Sequence, residues 1–204
     1  VEAYLQHQLK QYFFLGLFYG VVLLVLVYHL LLFIYTREIS FLYLLMYHFF
    51  FGLVTGFFDG FTGIYFYRIY LLTDFKPEVP VVVLIIIFSQ LSLQSFLKTR
   101  KYLLFYDRLV TVFIGIVLLF LIVYIFYPVQ VLRMIPILLF SSLSILLWVS
   151  YQARAHSPLR ANYFLMSFVF LSLFVLFVLL SFLSLIAVND YLITMIYIGY
   201  MGQM

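Results

Sequence analysis

Six times along this chain a predominantly apolar run with at most one charged residue continues for close to the length that an α-helix needs to cross a lipid bilayer. The hydrocarbon core is about 30 Å thick, and at 1.5 Å per residue a helix fills it with roughly 20 residues. The runs are approximately Tyr12–Tyr35, Phe41–Phe58, Val79–Leu97, Leu109–Phe126, Leu132–Val149 and Tyr163–Val188. A seventh starts at Tyr191 and reaches Met204. At 1.5 Å per residue that last stretch rises only about 21 Å, so the sequence reads as cut inside a helix. Val1–Lys10 is polar and mixed, and the apolar run after it is too long for a signal-peptide core, so the start also reads as an excised boundary.

The connections are short: Thr36–Ser40, Lys98–Arg108, Tyr127–Val131, Tyr151–Asn162 and Asn189–Asp190. Only Asp59–Glu78 has substance, with Gly60, Gly63 and an apolar stretch Ile64–Leu72 too short to span. Neither a soluble domain nor an internal repeat fits between the runs. Residues 1–204 therefore read as one all-α, polytopic membrane helix bundle, with six complete transmembrane helices and an incomplete seventh.

Composition agrees with that reading. Only 9% of the residues are charged against 68% hydrophobic, too few charges for an ordinary water-facing surface, so most of the surface must meet lipid. Many of the 19 tyrosines sit near the ends of apolar runs, where a ring with a polar tip suits the headgroup zone. The chain has no cysteine, which removes disulfides, thiolate-ligated zinc, iron–sulfur clusters and thiol catalysis. Its 11 Lys and Arg are scattered over short loops and form no continuous stripe, so nucleic acid is not an expected partner.

Those cations instead set an orientation. Arg37, Lys98, Arg100, Lys101, Arg108, Arg154 and Arg160 fall on one side, and Lys10, Arg68, Lys76 and Arg133 on the other. The richer side is expected in the cytoplasm, which puts the N-terminus outside. An odd number of spans then places whatever follows Met204 inside.

Ionisable groups within spans are expensive, so they are the first candidates for function. His29 and His48 lie at matching depth on adjacent helices, roughly 9 to 11 Å from the richer edge. They read either as a proton-sensitive or metal-binding pair, or as structural side chains bonded between helices or capped by a carbonyl or by Tyr28, Tyr43 or Tyr47. Axial ligation of a haem would require facing positions across the bundle. On the third run Gln90 and Gln94 share a face at i, i+4, where they either line a ligand cavity or join helices. Asp59, near Gly56, Gly60 and Gly63, could contact a ligand or simply end a span in water. Gly16 and Gly20 give a small-xxx-small pattern that predicts close helix packing. The basic segment Lys98–Tyr102 with Arg108 could meet anionic headgroups or a cytoplasmic effector, although topology alone accounts for its charge. No paired carboxylates, HExxH, Ser-His-Asp set or phosphate-cradling glycine loop assembles at one depth, so neither catalysis nor a cofactor is expected of these residues.

Order and spacing of short elements carry a resemblance. Phe14–Leu24, Tyr28–Leu32, Arg37–Tyr43, Gly60–Tyr67, Phe96–Leu103, Ala161–Leu165 and Tyr197–Gly199 run through nearly the whole chain. Together they resemble the transmembrane domain of bacterial seven-transmembrane receptors with diverse intracellular signalling modules. The sequence departs from that family's usual pattern at His29, where Asn is common, at Ala161-Asn162, where Ala-Arg is common, and at Gly202-Gln203, where an acid is common. The resemblance implies a sensor that is not itself an enzyme, in a bacterial cytoplasmic (inner) membrane. It further implies an N-terminal extracytoplasmic sensor domain and a C-terminal cytoplasmic signalling domain of the same chain, such as a histidine kinase or diguanylate cyclase, with a homodimer compatible by analogy. From the bundle alone, a small-molecule transporter or an accessory subunit of a membrane complex is the alternative.

Overall fold

The first helix, α1, runs unbroken over Glu2–Thr36. Its 35 residues extend about 52 Å, well beyond a bilayer core, and the stretch apolar enough to cross is Leu15–Thr36. The computed structural model describes residues 2–58, 77–166 and 168 of the chain. Thr36 Oγ1 donates to the Leu32 carbonyl at 2.7 Å, and Arg37 ends the helix with a positive φ of 57°. Only Arg37 and Glu38 separate it from α2, Ile39–Phe58, so the two helices run antiparallel.

Pro77 precedes α3, Glu78–Leu97, with Glu78 in its first turn, where a carboxylate complements the helix dipole. Val81, Val82 and Val83 and then Ile85, Ile86 and Ile87 are β-branched, yet they are helical here. In a bilayer the backbone has no water to bond, so closing every bond within the segment outweighs a small propensity cost. Lys98 stops α3 in the left-handed region, at φ 51° and ψ 44°, and its N–H bonds to the carbonyls of Gln94 and Ser95. A single turn, α4, Thr99–Tyr102, leads through Leu103 into α5, Leu104–Phe126. Tyr127 alone separates α5 from α6, Pro128–Ala153, which begins with Pro128 in its first turn and contains Pro136. A turn over residues 154–157 opens α7, helical through residues 158–166. Among the described residues there is no strand.

Helix α3 is the hub, packing against α2, α5 and α6, while α1 packs chiefly on α2. Half of the α3 span is buried but only 17% of the α1 span. Apolar clusters stack along the bundle. Val79, Tyr124 and Val131 close one end, Val83, Ile86, Phe113, Val117 and Leu138 fill the middle, and Leu93, Leu97, Val110, Leu146, Val149 and Phe164 close the other. Phe18, Val22 and Phe51 join α1 to α2. The outward faces carry Leu23, Leu24, Leu31, Val112, Ile116, Leu119 and Ile122, all exposed. Such a surface is stable only against lipid.

Five spans are present among the described residues: Leu15–Thr36, Ile39–Phe57, Glu78–Leu97, Leu104–Phe126 and Arg133–Ala153. The expected links contract. The expected connection Lys98–Arg108 holds a helical turn and the start of α5, since charged side chains at a helix end reach the interface without breaking the helix. Tyr127–Val131 shrinks to one residue, and Tyr151–Asn162 to the turn at 154–157. Of the expected sixth span, residues 163–166 and 168 are helical, and its helix begins earlier, at residue 158. The remainder of that span, the seventh helix at 191–204 and most of Asp59–Glu78 lie outside the described residues. Among the described residues nothing stands within 4 Å of a Cβ at Gly16 or Gly20, so the close approach expected of them is not made to any described helix. The tight contact is at Gly52, where a Cβ would meet Val22 Cγ1 at 3.1 Å.

Candidate functional site

Polar side chains form a seam along α3. Gln90 is fully buried and its amide nitrogen donates to both the carbonyl and the hydroxyl of Ser142 on α6, at 3.0 and 2.9 Å. One turn on, Gln94 donates to the Asp107 carbonyl at 3.0 Å and to Thr111 Oγ1 at 3.1 Å, both on α5. The shared face therefore points into protein, but each amide finds a different helix. Towards the same end, Ser95 shares a 2.9 Å hydroxyl bond with Ser40 of α2, and Thr99 Oγ1 donates to Asp107 Oδ1 at 2.7 Å. In lipid such bonds hold helices in register, each worth about 0.6 kcal/mol on average. Among the described residues Gln90 Oε1 and Ser150 Oγ are buried without a hydrogen-bond partner. A small cavity between α2, α3 and α6 is lined by Tyr47, Ser89, Ser142 and Leu146.

His29 and His48 meet across the α1–α2 interface, their rings stacked at 5.0 Å between centroids and 24° between planes. The Nδ1 of each faces a carbonyl one turn back in its own helix, Val25 at 2.8 Å and Leu44 at 2.7 Å. A carbonyl only accepts, so Nδ1 carries the proton in both rings. Tyr28 and Tyr47 each set an edge against the neighbouring imidazole. Axial ligation of one iron needs two imidazole nitrogens aimed at each other, and face-to-face rings do not have that arrangement. Among the described residues no three of His, Cys, Asp and Glu come together as a metal site.

Arg37, Lys98, Arg100, Lys101, Arg108, Arg154 and Arg160 are all exposed. They share one end of the bundle, because the Ser40–Ser95 bond and the Thr99–Asp107 bond join the α1–α2, α3–α5 and α6–α7 turns to the cluster of Leu97, Val110, Ala153 and Ala161. Tyr102 of α4 stacks on His156 of the 154–157 turn at 5.8 Å and 15°. Lys101 Nζ stands 5.2 Å over the Tyr102 ring, and Arg154 Cζ 5.9 Å over Tyr151. Asp59 lies outside the described residues. Sequence reasoning missed Ser40, Thr99, Asp107, Thr111, Ser142 and His156; the signal for most of them was a hydroxyl inside or beside an apolar run, which seeks a partner on another helix.

Apolar faces turned outward, hydrogen bonds reserved for helix contacts and a rim of cations at one end define a polytopic helical membrane protein. A family profile described as 7TM diverse intracellular signalling matches residues 11–204. The chain belongs to that family of seven-transmembrane receptors with diverse intracellular signalling. Comparison with curated proteins and with solved structures finds no match.

Proposed function

We propose that the chain couples an extracytoplasmic sensor to a cytoplasmic output module, such as a histidine kinase or diguanylate cyclase, in a bacterial inner membrane. Membership of the family over residues 11–204 is the observation that carries this reading. The cation-rich end supports its orientation, with that end in the cytoplasm and the N-terminus outside. A signal of this kind is a shift between bundle states that bind or bias the two modules differently. Helix α1 suits the input, since it continues about four turns past its span and reaches the hub chiefly through α2. On this reading His29, His48, Gln90 and Gln94 are positioning residues at the joints between helices, and Asp59 belongs to the outer face.

The full-length gene product tests the proposal. Removing the module outside the membrane, with this domain intact, is expected to change the rate of the inner module's reaction, read as autophosphorylation from ATP or cyclic dinucleotide formation from GTP. A full-length product without a soluble output, carrying solute flux in liposomes instead, would sink the reading in favour of transport.

A further inference from the structure

Topology accounts for the sign of the charges at the basic end but not for their arrangement. Arg100 and Lys101 lie on α4, some fifty residues before Arg154 and Arg160, and the Tyr102–His156 stack brings the two segments together. Among the described residues no carboxylate pairs with any of these four cations. Of the acids at this end, Asp107 accepts from Thr99, and Glu38 lies at the separate α1–α2 turn. Cations on neighbouring segments without counter-charges repel one another, and an anion from outside would relieve that repulsion.

Beside the cations, where α5 and α7 leave this end, large apolar side chains are exposed. Phe105 is 71% exposed, Leu159 72% and Tyr163 68%, at the level where aromatic rings meet headgroups and methylenes. A polar anion above and acyl chains below describe one kind of molecule. We propose that α4 and the 154–157 turn form a binding site for an anionic phospholipid of the adjoining leaflet, its phosphate held by Arg100, Lys101 and Arg154 and its chains lying against the exposed apolar side chains of α5, α6 and α7. This inference needs only that the leaflet exists at that end, so it stands or falls apart from the proposed coupling function.

The chain's single tryptophan reports on it. Trp148 is exposed on α6, about 8 Å short of the helix end at Ala153, where lipid chains under the site would pass. Brominated acyl chains quench indole by contact. In phosphatidylcholine vesicles, brominated phosphatidylglycerol is expected to quench Trp148 at a mole fraction lower than brominated phosphatidylcholine by about five-fold or more, one such factor for each cation engaged. The preference should shrink with added salt in the unmodified protein and disappear in R100Q/K101Q/R154Q, while R133Q at the far end keeps it. Equal quenching by the two lipids, or a preference that survives the triple substitution, overturns the site. Inorganic phosphate replacing chloride at constant ionic strength should leave the preference unchanged; its loss would assign the site to a free anion and overturn the lipid.

Discussion

At the scale of residues, the seam on α3 and the histidine stack make separable predictions. Gln90 gives two bonds to Ser142 but leaves Oε1 buried without a partner among the described residues. Gln90→Leu keeps the volume, loses bonds of modest worth and removes the orphaned oxygen, so it should alter stability by less than about 1 kcal/mol. Gln90→Ala leaves a cavity and should cost about 2 kcal/mol or more, read by unfolding in detergent micelles. Equal losses for the two variants would mean the bonds to Ser142 carry the site. For the stacked rings, a double-mutant cycle of His29→Ala and His48→Ala should give a coupling of about 0.5 to 1.5 kcal/mol. Additive effects would show that the rings do not touch. That His29 and His48 could meet was legible in the sequence, because the short Thr36–Ser40 connection puts both at similar depth on adjacent helices; that their rings stack was not. Which helix each amide of α3 would choose was not legible. Its sequence is apolar on every side, so periodicity marks Gln90 and Gln94 as facing protein without ranking the neighbours.

At the scale of elements, α1 is lightly held and packs tightly on α2 at Gly52. Gly16→Ala and Gly20→Ala meet no described residue and gain helix propensity, so each should hold or raise stability. Gly52→Ala must displace Val22, and should fall below both by about 1 kcal/mol. The reverse order would move the contact face of α1 to its glycines. Ser40 and Ser95 offer a second check: the hydroxyls are 2.9 Å apart, and S40C/S95C should form an α2–α3 disulfide under mild oxidation with no native cysteine to compete. Failure to cross-link would contradict the register of that pair. The existence of the helices could be read from run length alone. Their ends could not, because Arg108 and Asp107 look like loop residues in a hydropathy pattern while a helix terminus at the interface accommodates both.

At the scale of the molecule, short connections and the count of cations fixed the alternation of helices, and the structure brings all seven basic residues of the richer set to one end. The packing order around α3 lay beyond the sequence, since lipid-facing and protein-facing surfaces are equally apolar and pairing is decided by shape and a few hydrogen bonds. The central claim is that this domain joins an outer module to an inner one, which requires an odd number of crossings with the basic end inside. A cysteine-free chain makes this directly measurable with single cysteines at Ala3, Tyr127 and Ser157 and a membrane-impermeant maleimide. Ala3→Cys and Tyr127→Cys are expected to be labelled in intact cells, whereas Ser157→Cys is labelled only after permeabilisation. Labelling of Ser157→Cys from the same side as Ala3→Cys, or of Tyr127→Cys only after permeabilisation, would contradict that arrangement.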